Sequence, residues 1–75
     1  MSKNNSVQIA YQNAIDLINE KDYTQASEQL NEILKVFPNE LNSIYLLIDC
    51  YIKLSKPLKA LEATHNALRG LFNFI

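Results

Sequence analysis

Moved along itself by 34 residues, the chain repeats its own pattern: Val7 falls on Leu41, Tyr11 on Tyr45, Ile18 on Ile52, Ala26 on Ala60 and Leu34 on Leu68. Within each half, apolar residues recur at intervals of three and four, the period of a helix with one buried side and not the alternation of a strand. Four helical windows result. The first runs from about Ser6 to Glu20, with Val7, Ala10, Ala14, Leu17 and Ile18 on one side, and ends in a short turn at Lys21. The second begins near Asp22, whose carboxylate can accept from the free donors of the first turn while Gln25 reaches back, as in a capping box. It stops at Phe37, because Pro38 has no N–H and disfavours helical geometry in the residue before it. The third covers about Leu41 to Leu54. The fourth starts at Pro57, suited to a first helical position, and continues towards Arg69 or beyond. Connections of only a few residues predict antiparallel neighbours.

An all-α domain is therefore expected over residues 1–75, with 1–6 a flexible N-terminus, 7–40 one repeat and 41–74 a second. Composition agrees: 48% apolar and 20% charged residues, one Gly and two Pro describe an ordered, helical chain. At 75 residues it should bury only about 60% of its unfolded surface. A 34-residue helix–turn–helix period resembles the tetratricopeptide repeat (TPR) family, which implies two antiparallel helical hairpins stacked as a short α-solenoid. In the first repeat, Ala14 and Leu17 suit the family's small and apolar positions, whereas Ala10 and Asn13 replace large apolar residues. Its second helix matches better, with Ala26 at the small position, Leu30 at the aromatic one, then Ile33, Leu34 and the terminating Pro38. In the second repeat Leu47, Tyr51 and Ala60 fit, while Ile48, Thr64 and Phe72 depart. The alternative is a four-helix bundle whose halves are alike only because amphipathic helices are alike.

The resemblance implies that the first helices of the repeats line a concave groove. Its residues would be Tyr11, Gln12, Ile15 and Asn19, then Tyr45, Leu46, Asp49, Ile52 and Lys53, with Gln8 and Asn42 beside them. No carboxylate clamp of the kind some family members use is expected, since the only basic candidate is Lys53, with Asp49 one turn away. Tyr11 and Tyr45 offer flat apolar area with a polar tip, fit to anchor an extended or helical peptide. Alternatively both pack between repeats.

The fourth helix carries two apolar stripes at 100° per residue. Ala60, Thr64, Ala67, Leu71 and Phe74 form one, expected to face the preceding helix. Leu58, Leu61, His65, Leu68, Phe72 and Ile75 form the other, with nothing later in the chain expected to cover it. The equivalents of Leu58 and Leu61 in the second helix are Thr24 and Ser27, so the uncovered helix is the more apolar one. Leaving the stripe in water would forgo on the order of 10 kcal/mol, comparable to a domain's whole stability. Burial against another chain, a second copy or a different protein, is the expected resolution. The competing one is that "GLFNFI" bends at Gly70 and folds back over Leu61 and Leu68.

Other chemistry finds little footing. A net charge of −1, from dispersed side chains, gives no field to attract nucleic acid or anionic lipid. No run reaches the length of a membrane span, and no secretory leader is visible. His65 and Cys50 are the only histidine and thiol, placed on different helices, so neither catalysis nor a metal is expected, and no Gly-rich loop suggests a cofactor. Lys53, Lys56 and Lys59 solvate a turn. With one cysteine, the expected location is cytoplasmic. The expected function is a non-catalytic protein–protein interaction module, a TPR-like adaptor or a small chaperone resembling the repeat-built chaperones of bacterial secretion systems. Its partner would be a protein or peptide with an apolar helix or extended segment. Alternatives are a self-associating structural subunit (a homodimer) and a helical nucleic-acid-binding regulatory domain.

Overall fold

A computed structural model describes residues 3–72, and side-chain surroundings for residues 6–69. Among them run four helices, α1 (Lys3–Asn19), α2 (Tyr23–Val36), α3 (Leu41–Lys53) and α4 (Pro57–Phe72), with no strand. Consecutive helices pack on one another in an all-α stack of hairpins. The stack is flat, 37 × 37 × 14 Å across its Cα atoms.

Two boundaries differ from the sequence reading. α1 begins at Lys3, so residues 3–6, expected within a flexible lead, are helical. No Gly or Pro interrupts them, and once a turn is nucleated each further residue adds a hydrogen bond. α4 continues through Gly70 to Phe72, so the chain does not bend at Gly70 as the fold-back alternative required. Residues 73–75 lie outside the described part.

Both hairpin turns are built alike. After α1, the Lys21 N–H donates to the Ile18 carbonyl (2.9 Å) and the Asp22 N–H to the Leu17 carbonyl (2.8 Å). After α3, Ser55 donates to Ile52 (3.0 Å) and Lys56 to Tyr51 (2.8 Å), the same pairs 34 residues on. This is the Schellman closure of a helix end. It places Lys21 (φ 63°) and Ser55 (φ 57°) in the left-handed region, which costs about 1 kcal/mol per non-glycine residue. Asp22 then caps α2, its Oδ1 accepting from the Gln25 N–H at 3.2 Å. The expected return bond from Gln25 has no donor left, because the Leu17 carbonyl already takes the Asp22 N–H.

Between α2 and α3, Pro38 holds the second position of a turn closed by the Glu40 N–H on the Phe37 carbonyl, 3.2 Å. Glu40 then caps α3. Its Oε2 accepts from the Asn42 N–H (3.0 Å), and its Oε1 from the Ser43 N–H (3.1 Å) and Ser43 hydroxyl (3.0 Å). A negative charge there also opposes the positive end of the helix dipole.

The core centres on α2. Ala26, Leu30 and Ile33 meet Ala14 of α1, Leu47 and Cys50 of α3 and Ala63 of α4. Small residues at Ala14, Ala26 and Cys50 let the helix axes approach, and Leu30 fills the middle. On α4 the inward face differs from the expected stripe: Ala60, Ala63 and Ala67 are buried, whereas Thr64 is exposed. An all-alanine ridge brings α4 onto α3 without burying a hydroxyl, and the Thr64 hydroxyl donates to the Ala60 carbonyl of its own helix at 2.9 Å. The side chains of Leu71 and Phe74 lie outside the described residues. The buried serines are satisfied locally, Ser27 on the Thr24 carbonyl (2.7 Å) and Ser43 on Glu40.

Candidate interaction surface

Helices α1 and α4 form the two ends of the stack, and their outward faces differ in chemistry. On α1 the exposed residues include Gln8, Gln12, Asn13, Asp16 and Asn19, with Ile9 the exception. On α4 they include Leu58 at 80% exposure, Leu61 at 65% and Leu68 at 49%, with His65 exposed between them. The expected outer stripe is thus open along its described length. Phe72 closes the described helix with its side chain outside the described part, and Ile75 lies beyond it. The three leucines together leave the equivalent of about two whole side chains in water, about 3–6 kcal/mol of unrealised burial.

Residues expected in a groove fall into two places. Tyr11 packs partly against the core, and with Val7, Gln8 and Gln12 it lines a shallow cavity of about 340 Å³ closed by Glu40 and Asn42 at the start of α3. Gln12 is oriented within α1, donating to Asp16 Oδ1 at 3.0 Å. Tyr45 and Ile52 stand exposed two turns apart on α3, with Asp49 and Lys53 also exposed, while Leu46 leans on the core. Ile15 is half-buried and Asn19 exposed on α1. The cavity therefore gathers Tyr11 and Gln12 but neither Ile15 and Asn19 nor the α3 set.

A second cleft, of about 320 Å³, opens between α2, α3 and α4. Tyr51 forms its floor, its hydroxyl accepting from Asn31 Nδ2 at 3.0 Å and its ring lying 5.9 Å beneath Lys59 Nζ. Glu62, Asn66 and Arg69 line the α4 side. The polar arc of α4 was the only trace of this cleft in the sequence. Which helix the arc would face required the stack itself.

Cys50 is buried in the core, as its apolar neighbours predict. Burial chiefly, and the Asp49 charge secondarily, push its thiol above the ordinary value of 9.0. Because the folded-state value is the raised one, the linked stability is complete below about pH 9 and is lost as the pH climbs through the folded value. The thiolate is the reactive species. At pH 8 Cys50 should therefore react with a disulfide reagent at least about 100-fold more slowly in the folded protein than in urea, where exposure restores it. Equal rates would show the site to be open. No group of three or more potential metal ligands occurs among the described residues, and no described helix is long and apolar enough to cross a membrane.

No family model matches the chain, and no curated protein or solved structure is significantly similar to it. Fold and surface define the class on their own: an all-α protein of stacked helical hairpins, polar at its α1 end and apolar on the outward face of α4.

Proposed function

We propose that this chain is a non-catalytic protein–protein interaction module of tetratricopeptide type, which works by burying the outward face of α4 against another protein chain. The observation that carries this reading is the exposure of Leu58, Leu61 and Leu68 on one side of a helix whose opposite side is already packed. Monomers seldom leave such stripes in water. Identical hydrogen bonding at two turns 34 residues apart supports the repeat assignment. An adaptor or small chaperone would use the same face on an apolar helix or extended segment of its client, with exposed Tyr45 and Ile52 of α3 as a second contact area. The reduced Cys50 suits the cytoplasm.

The test is photo-crosslinking in cells of the native host, with a benzophenone amino acid at position 61 and, as control, at Glu28, an exposed polar site on α2. Position 61 should give adducts of discrete mass containing a protein chain, identified by mass spectrometry, and position 28 should give none. A folded, expressed protein without adducts at position 61 would refute the reading.

A further inference from the structure

We infer that the cleft walled by α2 and α4 and floored by α3 binds a short, extended peptide segment with an acidic residue, whose carboxylate rests on Arg69. This site is separate from the outward face of α4 and goes beyond the reading above. α3 packs on both α2 and α4, which leaves the cleft open between the two outer helices. From Lys59 through Glu62 and Asn66 to Arg69, α4 presents one row of side chains to it, at spacings of three, four and three. At about 1.5 Å per residue the row is about 15 Å long, matching about four or five residues of extended chain.

Shape selects an extended occupant. A helix of that length would displace on the order of 1,000 Å³, whereas the cleft holds about 320 Å³. Leu34, Ile44, Leu47 and Ala63 offer an apolar base for one side chain of the ligand. Amides stand around them, Asn31 on α2, Asn39 in the turn after it and Asn66 on α4. An asparagine amide carries both a donor and an acceptor, the complement of the two groups that an extended backbone leaves unpaired. Asn31 gives one N–H to the Tyr51 hydroxyl at 3.0 Å, which holds its amide at the cleft and leaves its carbonyl and second N–H for a ligand. No hydrogen bond among the described residues engages the side chains of Asn39 or Asn66. A main chain laid between the walls can therefore be held from both sides.

Charge selects an acidic one. The chain carries a net charge of −1, yet the cleft is lined by two cations, Lys59 and Arg69, and one anion, Glu62. Lys59 Nζ already lies 5.9 Å from the centre of the Tyr51 ring. Glu62 stands one helical turn from Lys59 and two turns from Arg69, so the Arg69 end is the positive one. Arg69 is exposed, and the only ion pair among the described residues joins Lys35 to Glu32, so its guanidinium has no carboxylate partner among them. That planar fork takes a carboxylate through two parallel hydrogen bonds. Ala63, at the apolar base, lies about 9 Å along α4 from Arg69. The apolar and acidic side chains should therefore stand about two or three residues apart in the peptide.

The experiment is selection of random heptapeptides on the immobilised full chain, followed by fluorescence anisotropy of the enriched peptides, with helicity of each variant checked by circular dichroism. Enriched peptides should share an acidic and an apolar residue about two or three positions apart, with dissociation constants of about 10 µM to about 1 mM. Arg69→Gln should weaken them about 5- to 10-fold. Once the acid of the peptide is replaced by its amide, wild type and Arg69→Gln should bind it within about 2-fold of each other. Asn66→Ala should weaken binding about 3-fold, and Leu61→Glu, on the outward face, less than about 2-fold. Absence of enrichment overturns the inference, as do peptides indifferent to Arg69→Gln. Peptides lost through Leu61→Glu would overturn the cleft site and uphold the α4 face, whereas a position 61 that fails to crosslink would leave the cleft site standing.

Discussion

Leu30→Ala should lower the unfolding free energy by about 3–4 kcal/mol, the cost of removing a fully buried leucine with little chance of collapse around the gap. Leu30 has no exposed surface and sits in the middle of α2, in the cluster that joins all four helices. A domain of this length has about 4–11 kcal/mol in total. One substitution would therefore remove between a third and most of it, and the urea midpoint should fall accordingly with an unchanged slope. Small residues, Ala14, Ala26, Cys50 and Ala63, share the cluster with Ile33 and Leu47, so the void would be only partly refilled. A loss below about 1 kcal/mol would mean that α2 is not the centre of the fold.

Leu58→Glu combined with Leu61→Glu should have the opposite profile, leaving the fold in place and abolishing association. Both side chains are mostly in water in the single chain, so their replacement removes little packing. Position 58 lies in the first turn of α4, where a negative charge favours the helix. In an interface, however, each leucine lost is worth about 2 kcal/mol and each buried carboxylate adds a desolvation cost. Together these predict at least a 1,000-fold weaker complex, roughly 4 kcal/mol. Light scattering and circular dichroism on the same samples read both effects. Unchanged mass with unchanged helicity would remove the α4 face from consideration and leave Tyr45 and Ile52 of α3, Val36 and Phe37 at the end of α2, and Ile9 of α1 as exposed apolar residues.

Much of the architecture was legible because local rules governed it. Pro38 ended α2, Asp22 capped it, Pro57 opened α4, the three-and-four spacing put Ala14 and Ala60 on inward stripes, and the repeat resemblance gave Ala26 and Leu30 packing positions, all before any contact was known. The matched turns fall in step with the 34-residue shift, although nothing in Lys21 or Ser55 announces a left-handed residue, since glycine is the usual signal. The outer stripe was legible for a related reason. Helical phase alone separates Leu58, Leu61 and Leu68 from the alanines opposite.

Legibility failed where two faces of one helix competed or where distant segments met. Thr64 and Ala63 are adjacent in sequence and both can face inward within the scatter of an ideal helix. Only the close approach of α4 to α3 selected the alanine. Glu40 was missed as a cap because glutamate is an uncommon choice, and its double hold on Asn42 and Ser43 depends on the turn that Pro38 sets. The groove could not be judged from α1 and α3 separately, since whether Tyr11 and Tyr45 share a cavity depends on how the two helices cross.

The sequence by itself determined the four helices, their order, the repeat and the apolar side of each, because these follow from the backbone's period and from prolines and caps acting within a few residues. Only the tertiary structure decided that Ala63 and not Thr64 would complete the covered face of α4, that Tyr51 would floor a cleft between α2 and α4, and that Tyr11 and Tyr45 would not share a cavity. Those outcomes rest on how closely helices can approach, which small residues on both partners set jointly and neither sets alone.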